Sequence, residues 1–352
     1  MPQVALVEVR RRDYPAPGRI AAGVPGSHSM TRSRPFGRLE GGRPVHAWQL
    51  GEADGLSAEI LDLGGILVGR FGNRIGGASY ALDGRQQHVT ANEGRNHLHG
   101  GAYGFGRRLW TVEAYDADRF MLRYRSPDGE EGYPGNLEVT ATYRLQGSRL
   151  RLDFEATSDA PTPFNPTHHP YFNLAGDPSV PASAQWLQVP ASGYLPVDSA
   201  LIPLGDVAGV DGTPFDFRAA RTLDAAFDAA DPQLRTGGGF DHCLVLDARG
   251  INAGAARTAT LYSPHSGIAM RIDSDAPALQ LYDGHALDRQ HPGIGRGLCL
   301  EPQGFPDAPN RPGFPDAILR PGTVYRRGIE YRFATPGRDC DWDAVVAALD
   351  RA

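Results

Sequence analysis

Alternation of apolar and polar residues is the dominant pattern of this chain from about residue 37 onward. The segment 137–145 reads LEVTATYRL and the segment 150–156 reads LRLDFEA, each with an apolar residue at every second position. This period places the apolar side chains on one face of a β-strand. The intervening QGS is expected to form a hairpin turn. The same pattern predicts further strands in RFMLRYR (119–125), HCLVLD (242–247), GIAMRIDS (267–274) and GIEYRF (328–333).

Helical patterns are few by comparison. They occur at 223–230 and at 341–352, where Asp341 is a suitable N-cap. The chain also contains 44 Gly and 29 Pro, as expected where many turns join short strands. Many short strands without intervening helices indicate an all-β fold. The pattern by itself leaves a β-sandwich or a β-barrel open, with a few short helices in either case.

The chain shows no internal repeat and no linker inside this pattern. We expect a disordered leader rich in Arg, Pro and Gly at 1–34, a β-sandwich domain at 35–335, and a C-terminal extension with a short helix at 336–352. The leader lacks the apolar core of a signal peptide, and Met30 is an alternative start.

Composition excludes several classes of function. The 35 basic residues are all Arg, so the lysine amine that Schiff-base enzymes and P-loop hydrolases require is missing. The net charge of −6 argues against a nucleic-acid partner, and no apolar run is long enough for a membrane helix. The three cysteines are far apart, which argues against a disulfide framework and predicts a reducing, cytoplasmic location.

The histidine spacing does not favour a metal site. His97 and His99 form an H-x-H pair, which on a strand would place both rings on one face, but no carboxylate follows closely. His168 and His169 are adjacent and should therefore point to opposite faces of a strand. We expect no metal cofactor.

Glu301 is the carboxylate with the most distinctive surroundings. It closes the apolar segment GLCLE and is followed by six prolines within 302–321. A proline-dense loop is stiff, so it can hold a side chain at its base with little loss of conformational entropy. An isolated glutamate at a strand end is otherwise most often a surface residue.

Seven segments in this order resemble the aldose 1-epimerase (galactose mutarotase) family, over about residues 37–333. They are GRFGNRI (69–75), NHLHGGAYGFGRRLW (96–110), NPTHHPYFNLAG (165–176), DGTPFDFR (211–218), GFDHCLVL (239–246), ALQLYDG (278–284) and LEPQGFPDAPNRPGFPDAILRPG (300–322). The resemblance implies a large antiparallel β-sandwich with an open sugar-binding groove. It departs from the family where AEILDLGG (58–65) and LVGRFGNRI (67–75) run directly together, so we expect a trimmed N-terminal sheet.

The resemblance also implies roles for individual residues. Glu301 would be the general base and His169 the general acid. The sugar hydroxyls would be held by Asn73, Arg74, His99, Asp241 and Gln280. The implied substrate is a free aldose, with no metal or organic cofactor, and the implied state is a monomer or homodimer.

These residue types suit the interconversion of sugar anomers. A base removes the proton of the anomeric hydroxyl while an acid protonates the ring oxygen, and the opened sugar then closes from its other face. A carboxylate and an imidazole have ordinary pKa values of about 4.3 and 6.5, which suit a base and an acid that exchange protons with the sugar. Trp110, Tyr171 and Phe305 are candidate faces for sugar stacking, although aromatic residues of a sandwich more often belong to its core.

Three alternatives stay open at this point. A glycoside hydrolase would use Glu301 and Asp241 as its carboxylate pair but would leave His169 without a role. A non-catalytic sugar-binding or sensor protein could share the fold. An epimerase of sugar phosphates would need a basic cluster, for which the candidates are Arg70, Arg74, Arg107 and Arg108.

Overall fold

The computed structural model describes residues 33–39, 41–51, 56–247, 255–286 and 297–352. Strands predominate in these residues, and the predicted all-β class is confirmed. The described α-helices are α1 (Leu223–Ala226), α2 (Pro232–Gly237) and α3 (Trp342–Arg351). The predicted leader lies outside the described residues except for Ser33 and Arg34, which begin the first strand.

The largest sheet is antiparallel and has nine strands. In chain order they are β9 (Thr111–Tyr115), β10 (Arg119–Ser126), β11 (Leu137–Gln146), β12 (Arg149–Ser158), β15 (Trp186–Gln188), β18 (Arg221–Thr222), β20 (Ala256–Ser263), β21 (Ile268–Ser274) and β25 (Tyr325–Ala334). Their spatial order is β18-β15-β20-β21-β25-β12-β11-β10-β9. The predicted hairpin is β11–β12, paired from Leu137↔Ser158 to Gln146↔Arg149, with its apolar positions buried.

A second antiparallel sheet has five strands. They are β16 (Ala191–Leu195), β17 (Ala208–Gly209), β19 (Asp241–Leu246), β22 (Ala278–Tyr282) and β23 (Cys299–Gln303), in the spatial order β17-β16-β19-β22-β23. Leu244, Leu281 and Leu300 of this sheet share one hydrophobic core with Leu152 and Ile329 of the nine-stranded sheet. Because side chains alternate along a strand, the residues between these leucines face away from the main core.

Short strands complete the fold. The N-terminal sheet is formed by β1 (Ser33–Arg38), β2 (Pro44–Leu50) and β3 (Ala58–Leu61). Four two-stranded ladders pair β4 (Leu67–Val68) with β14 (Thr167–His168), β5 (Arg74–Ile75) with β8 (His97–Leu98), β6 (Ser79–Leu82) with β7 (Arg85–His88), and β13 (Thr162–Pro163) with β24 (Ile318–Leu319). These ladders carry the loops around the five-stranded sheet.

The two helix predictions have different outcomes. The helix expected at 223–230 ends at Ala226, after one turn capped by Thr222. It cannot continue to the next helix because Pro232 begins α2 and keeps Asp231 extended, where that residue caps α2 instead. The C-terminal helix is confirmed, with the Asp341 carboxylate accepting a hydrogen bond from the Ala344 amide at 2.8 Å.

Candidate active site

One face of the five-stranded sheet brings together three of the predicted site residues. Asp241 pairs with Tyr282 across β19 and β22, and Gln280 pairs with Glu301 across β22 and β23. Directly paired residues share a face, and so do residues two apart on one strand. Asp241, Gln280 and Glu301 therefore lie on the face that points away from the main core.

His169 approaches Glu301 from the neighbouring ladder. The Thr167 hydroxyl donates to the Pro302 carbonyl at 3.0 Å. This hydrogen bond connects β14 to β23. The His169 amide donates to the Ile66 carbonyl at 2.9 Å. These contacts place His169 Nε2 3.3 Å from Glu301 Oε1, with the side chains 15% and 2% exposed. The proposed acid and base are thus in direct contact and shielded from water.

His168 points into the protein interior, as expected for neighbours on a strand. Its Nδ1 lies 2.8 Å from the Tyr331 hydroxyl and its Nε2 lies 3.3 Å from the Tyr143 hydroxyl. Burial lowers the pKa of His168 to about 3. This ring is therefore a neutral part of the core, and of these two adjacent histidines it is His169 that faces the site.

Asn73, Arg74 and His99 come from the β5–β8 ladder. Asn73 has φ 65° and its side-chain oxygen accepts from the Arg74 amide at 3.0 Å. The Asn73 carbonyl accepts from the His99 amide at 3.1 Å. The next residue, Gly100, has φ 82°, and a Cβ there would lie 1.7 Å from the Gly69 carbonyl oxygen. A glycine is therefore required for the turn that directs His99 toward His169.

The hydrogen bonds of His99 fix its tautomer. Its Nδ1 accepts from the Asn73 amide at 3.1 Å, so the proton of the neutral ring is on Nε2. Burial, with smaller contributions from His169 and Arg74, holds the pKa of His99 well below its usual range. The His99 and His169 rings are edge to face, with centroids 5.4 Å apart. His99 is thus a neutral hydrogen-bond donor beside the proposed acid.

His97 and His99 do not form the one-sided pair that an H-x-H on a strand would give. Strand β8 ends at Leu98, and His99 has φ 53°, so the alternation stops there. His97 is buried, with Nε2 2.6 Å from the Tyr133 hydroxyl and Nδ1 2.7 Å from the Thr90 carbonyl. It supports the fold behind the site.

Arg74 connects two carboxylates. Its Nε and Nη2 donate to Glu93 at 2.6 and 2.9 Å, and its Nη1 lies 3.6 Å from Asp241 Oδ2. Burial opposes the charge of this guanidinium, but hydrogen bonding to Glu93 and the charge of Asp241 raise its pKa overall. Arg74 is therefore a permanent cation at the site.

Two oxygens of the site have no hydrogen-bond partner among the described residues. Gln280 donates from Nε2 to Asp241 Oδ1 at 2.6 Å, which leaves Gln280 Oε1 without a hydrogen bond among the described residues. Glu301 Oε2 has no partner there either. Buried polar atoms rarely stay unpaired, and their pairing by a ligand is a favourable use of such positions. Both atoms are acceptors suited to sugar hydroxyl groups.

The pKa values of Glu301 and His169 are shifted in opposite directions. Burial raises the pKa of Glu301 well above its usual range, the charge of Asp241 raises it further, and Arg74 opposes both. Burial also lowers the pKa of His169. A carboxylate with a raised pKa is a stronger base, and an imidazolium with a lowered pKa is a stronger acid.

The three candidate stacking residues separate into two groups. Tyr171 lies at the site, with its ring 5.1 Å from that of His169, and the Tyr282 ring lies 6.4 Å from His169. Trp110 and Phe305 are only 4% and 8% exposed and belong to the hydrophobic cores. Tyr171 is therefore the stacking candidate that the structure retains.

The four arginines considered for phosphate binding do not form a free basic cluster. Arg70 is 2% exposed and donates to three backbone carbonyls in the interior. Arg74 and Arg108 are each paired with a glutamate, while Arg107 is exposed. Three of the four charges are thus already engaged.

Sequence reasoning missed two residues that support the site, Glu93 and Asp307. Asp307 Oδ1 accepts from the Gly76 amide at 2.9 Å, and its own amide donates to the Arg74 carbonyl at 2.8 Å. The P-D of the proline-dense segment marks Asp307 in the sequence, but nothing local indicates its partners.

Within the described ranges, no group of three or more His, Cys, Asp or Glu side chains is arranged to hold a metal ion. None of the helices in the described part of the chain combines the length and apolar character needed to cross a bilayer.

The fold is an antiparallel β-sandwich, and the site holds a carboxylate and an imidazole in contact, a pair suited to acid–base chemistry. Comparisons with known proteins point to one family. The family model described as aldose 1-epimerase matches residues 48–332. The chain belongs to the aldose 1-epimerase family and is an isomerase, as the resemblance implied.

Individual relatives agree with this assignment. The aldose 1-epimerase of Escherichia coli (strain K12) is 38% identical over 70% of this chain and 72% of its own length. The galactose mutarotase of Homo sapiens is 38% identical over 77% of this chain and 78% of its own length. A solved galactose 1-epimerase from Lactobacillus acidophilus is 27% identical, with a TM-score of 0.73 over 86% of this chain and 97% of its own. The hydrolase, sensor and sugar-phosphate alternatives are not favoured.

Proposed function

We propose that this enzyme interconverts the α and β anomers of a free aldose such as galactose or glucose, with Glu301 as general base and His169 as general acid. The observation that carries this proposal is the 3.3 Å contact between His169 Nε2 and Glu301 Oε1, in a site where the other carboxylate oxygen has no described partner.

The reaction follows from the placement of the two groups. Glu301 takes the proton of the anomeric hydroxyl, and His169 gives a proton to the ring oxygen as the bond from the anomeric carbon to that oxygen breaks. The open-chain aldehyde rotates about its first carbon–carbon bond. The hydroxyl that formed from the ring oxygen then attacks the other face of the carbonyl. The protonated Glu301 returns its proton to the new anomeric oxygen, and His169 takes back its proton from the attacking hydroxyl. Protons and bonds balance over the cycle.

The remaining residues hold the sugar. Neutral His99 donates from Nε2, and Arg74 Nη1 donates toward oxygen atoms that gain charge as the ring opens. Asp241, Gln280 and Asn73 provide carboxylate and amide groups for the hydroxyls. Tyr171 offers an apolar ring face.

We also infer a reducing, cytoplasmic setting and a monomer or homodimer. Cys243, Cys299 and Cys340 are all free thiols, and the first two are buried. Light scattering of the purified protein measures the oligomeric state.

Polarimetry tests the proposed reaction. Fresh α-glucose and α-galactose should reach their equilibrium rotation faster with the enzyme, in proportion to its concentration. Release of reducing sugar from aryl glycosides, without acceleration of anomer exchange, would reassign the enzyme as a hydrolase.

A further inference from the structure

Glu93 binds the edge of the Arg74 guanidinium that faces away from Asp241. The Nε and Nη2 atoms both bind the Glu93 carboxylate, a two-point contact that sets the plane of the guanidinium. With those nitrogens engaged, Nη1 is the one directed toward Asp241. The Arg74 side chain is 8% exposed whereas that of Glu93 is 36% exposed, so the pair reaches from the interior to the protein surface.

Glu93 is held in place by its own turn. The Glu93 and Asn96 backbones exchange hydrogen bonds at 3.1 and 2.9 Å. The adjacent Asn92 side chain accepts from the Leu98 amide at 2.8 Å and donates to the Leu98 carbonyl at 2.9 Å. Leu98 in turn pairs with Arg74 across the β5–β8 ladder. The carboxylate and the guanidinium that it binds are therefore parts of one hydrogen-bonded unit.

We propose that Glu93 is a positioning residue of the sugar site, which acts by holding Arg74 so that Nη1 points to the sugar and to Asp241. This inference rests on the proposed function, because it takes Arg74 as a ligand of the sugar.

The test compares Glu93→Gln with a matched control. Arg34 and Glu59 form the same two-point contact on the N-terminal sheet, at 3.0 and 2.6 Å, although Arg34 is 58% exposed. Glu59→Gln therefore removes a pair of the same geometry in a strand outside the site. We expect Glu93→Gln to raise KM about tenfold with kcat changed less than about threefold, because binding orientation is lost but the acid and base remain. Glu59→Gln should leave both constants unchanged.

A double-variant cycle separates positioning from general destabilisation. In an Arg74→Gln background, Glu93→Gln should add little to the KM increase, since the residue that it positions is already gone. Full additivity of the two changes, or a wild-type KM in Glu93→Gln, would overturn the proposal. Equal losses of kcat and thermal stability in the Glu93 and Glu59 variants would also overturn it.

A crystal structure of Glu93→Gln keeps this inference separate from the proposed function. Rotation of the Arg74 guanidinium away from Asp241 would support positioning by Glu93, even if polarimetry showed no epimerase activity in the wild type. An unmoved guanidinium would refute it whatever the activity.

Discussion

Glu301 is a carboxyl group that the fold surrounds with apolar strands and a second carboxylate. It is 2% exposed, and only one of its oxygens has a described partner. Burial of an ionised carboxylate is unfavourable unless it is compensated. Its burial therefore lowers the stability of the folded state. Our proposal explains why the residue is nevertheless there, because it serves catalysis.

Replacing Glu301 by Gln should abolish the chemical step while sparing sugar binding. The amide keeps the shape but cannot take a proton, so kcat should fall by about 10²–10⁴-fold with little change in KM. His169→Asn should resemble it, and the double variant should be little worse, because the pair acts as a unit. Asp241→Asn should mainly raise KM. Near-normal turnover in Glu301→Gln with collapse in Asp241→Asn would identify Asp241 as the base.

The Glu301→Gln variant should also be more heat-stable than the wild type at alkaline pH. Burial, with the charge of Asp241, raises the folded-state pKa of Glu301. The stability that a carboxyl with a raised pKa contributes is complete below its unfolded pKa of about 4.3 and is lost as the pH rises through the folded value. The amide that replaces the carboxyl does not titrate, so the Tm difference in favour of the variant should grow as the pH rises from the unfolded pKa of about 4.3 through the raised folded pKa.

Calorimetry at a series of pH values measures this difference. Glu113→Gln on β9 is a suitable control, since Glu113 pairs with Arg123 on an exposed part of the strand. A Tm difference for Glu301→Gln that stays constant with pH would contradict a raised pKa.

At the level of elements, the loop that follows β23 carries Asp307. This residue connects β23, which holds the proposed base Glu301, to the β5–β8 ladder, which holds Arg74. This residue is 2% exposed, has φ 58°, and accepts hydrogen bonds from Gly76, Asn310 and Arg311. Asp307→Ala should lower the free energy of unfolding by about 1–3 kcal/mol, because three partly buried donors lose their acceptor. Asp307→Asn should recover most of that loss, since asparagine tolerates this backbone conformation and keeps an acceptor oxygen.

Urea unfolding of both variants tests this prediction. Asp224→Ala in the exposed first turn of α1 is the control, with an expected change within about 0.5 kcal/mol. An Asp307→Ala variant as stable as that control would show that the loop does not depend on Asp307.

For the whole molecule, the two sheets and their shared core should suffice for folding without the leader. Residues 1–29 are rich in Arg, Pro and Gly and offer little apolar surface to bury. A variant that lacks them should keep the Tm and the kcat of the full chain. A marked fall in Tm on deletion would show that the leader stabilises the domain.

Local pattern was enough to predict much of the fold. The alternation in 137–156 places the β11–β12 hairpin, and Asp341 marks the start of α3, because strand period and helix capping depend on residues close in sequence. The helix predicted at 223–230 was too long, since its apolar pattern continues past the point where Asp231 and Pro232 begin a second helix.

The sequence by itself determined the all-β class, the family and the identities of the candidate site residues. Tertiary structure alone decided which of them meet. Asp241 and Gln280, which share a hydrogen bond, are 39 positions apart, and the supporting residue Asp307 is 231 positions from its partner Gly76. Their contacts depend on which strands pair and on how the chain leaves them, as at His99, where a left-handed residue ends the alternation. Contacts between distant segments and the burial that shifts the pKa of Glu301 arise only when the sheets pack, so no local pattern can specify them.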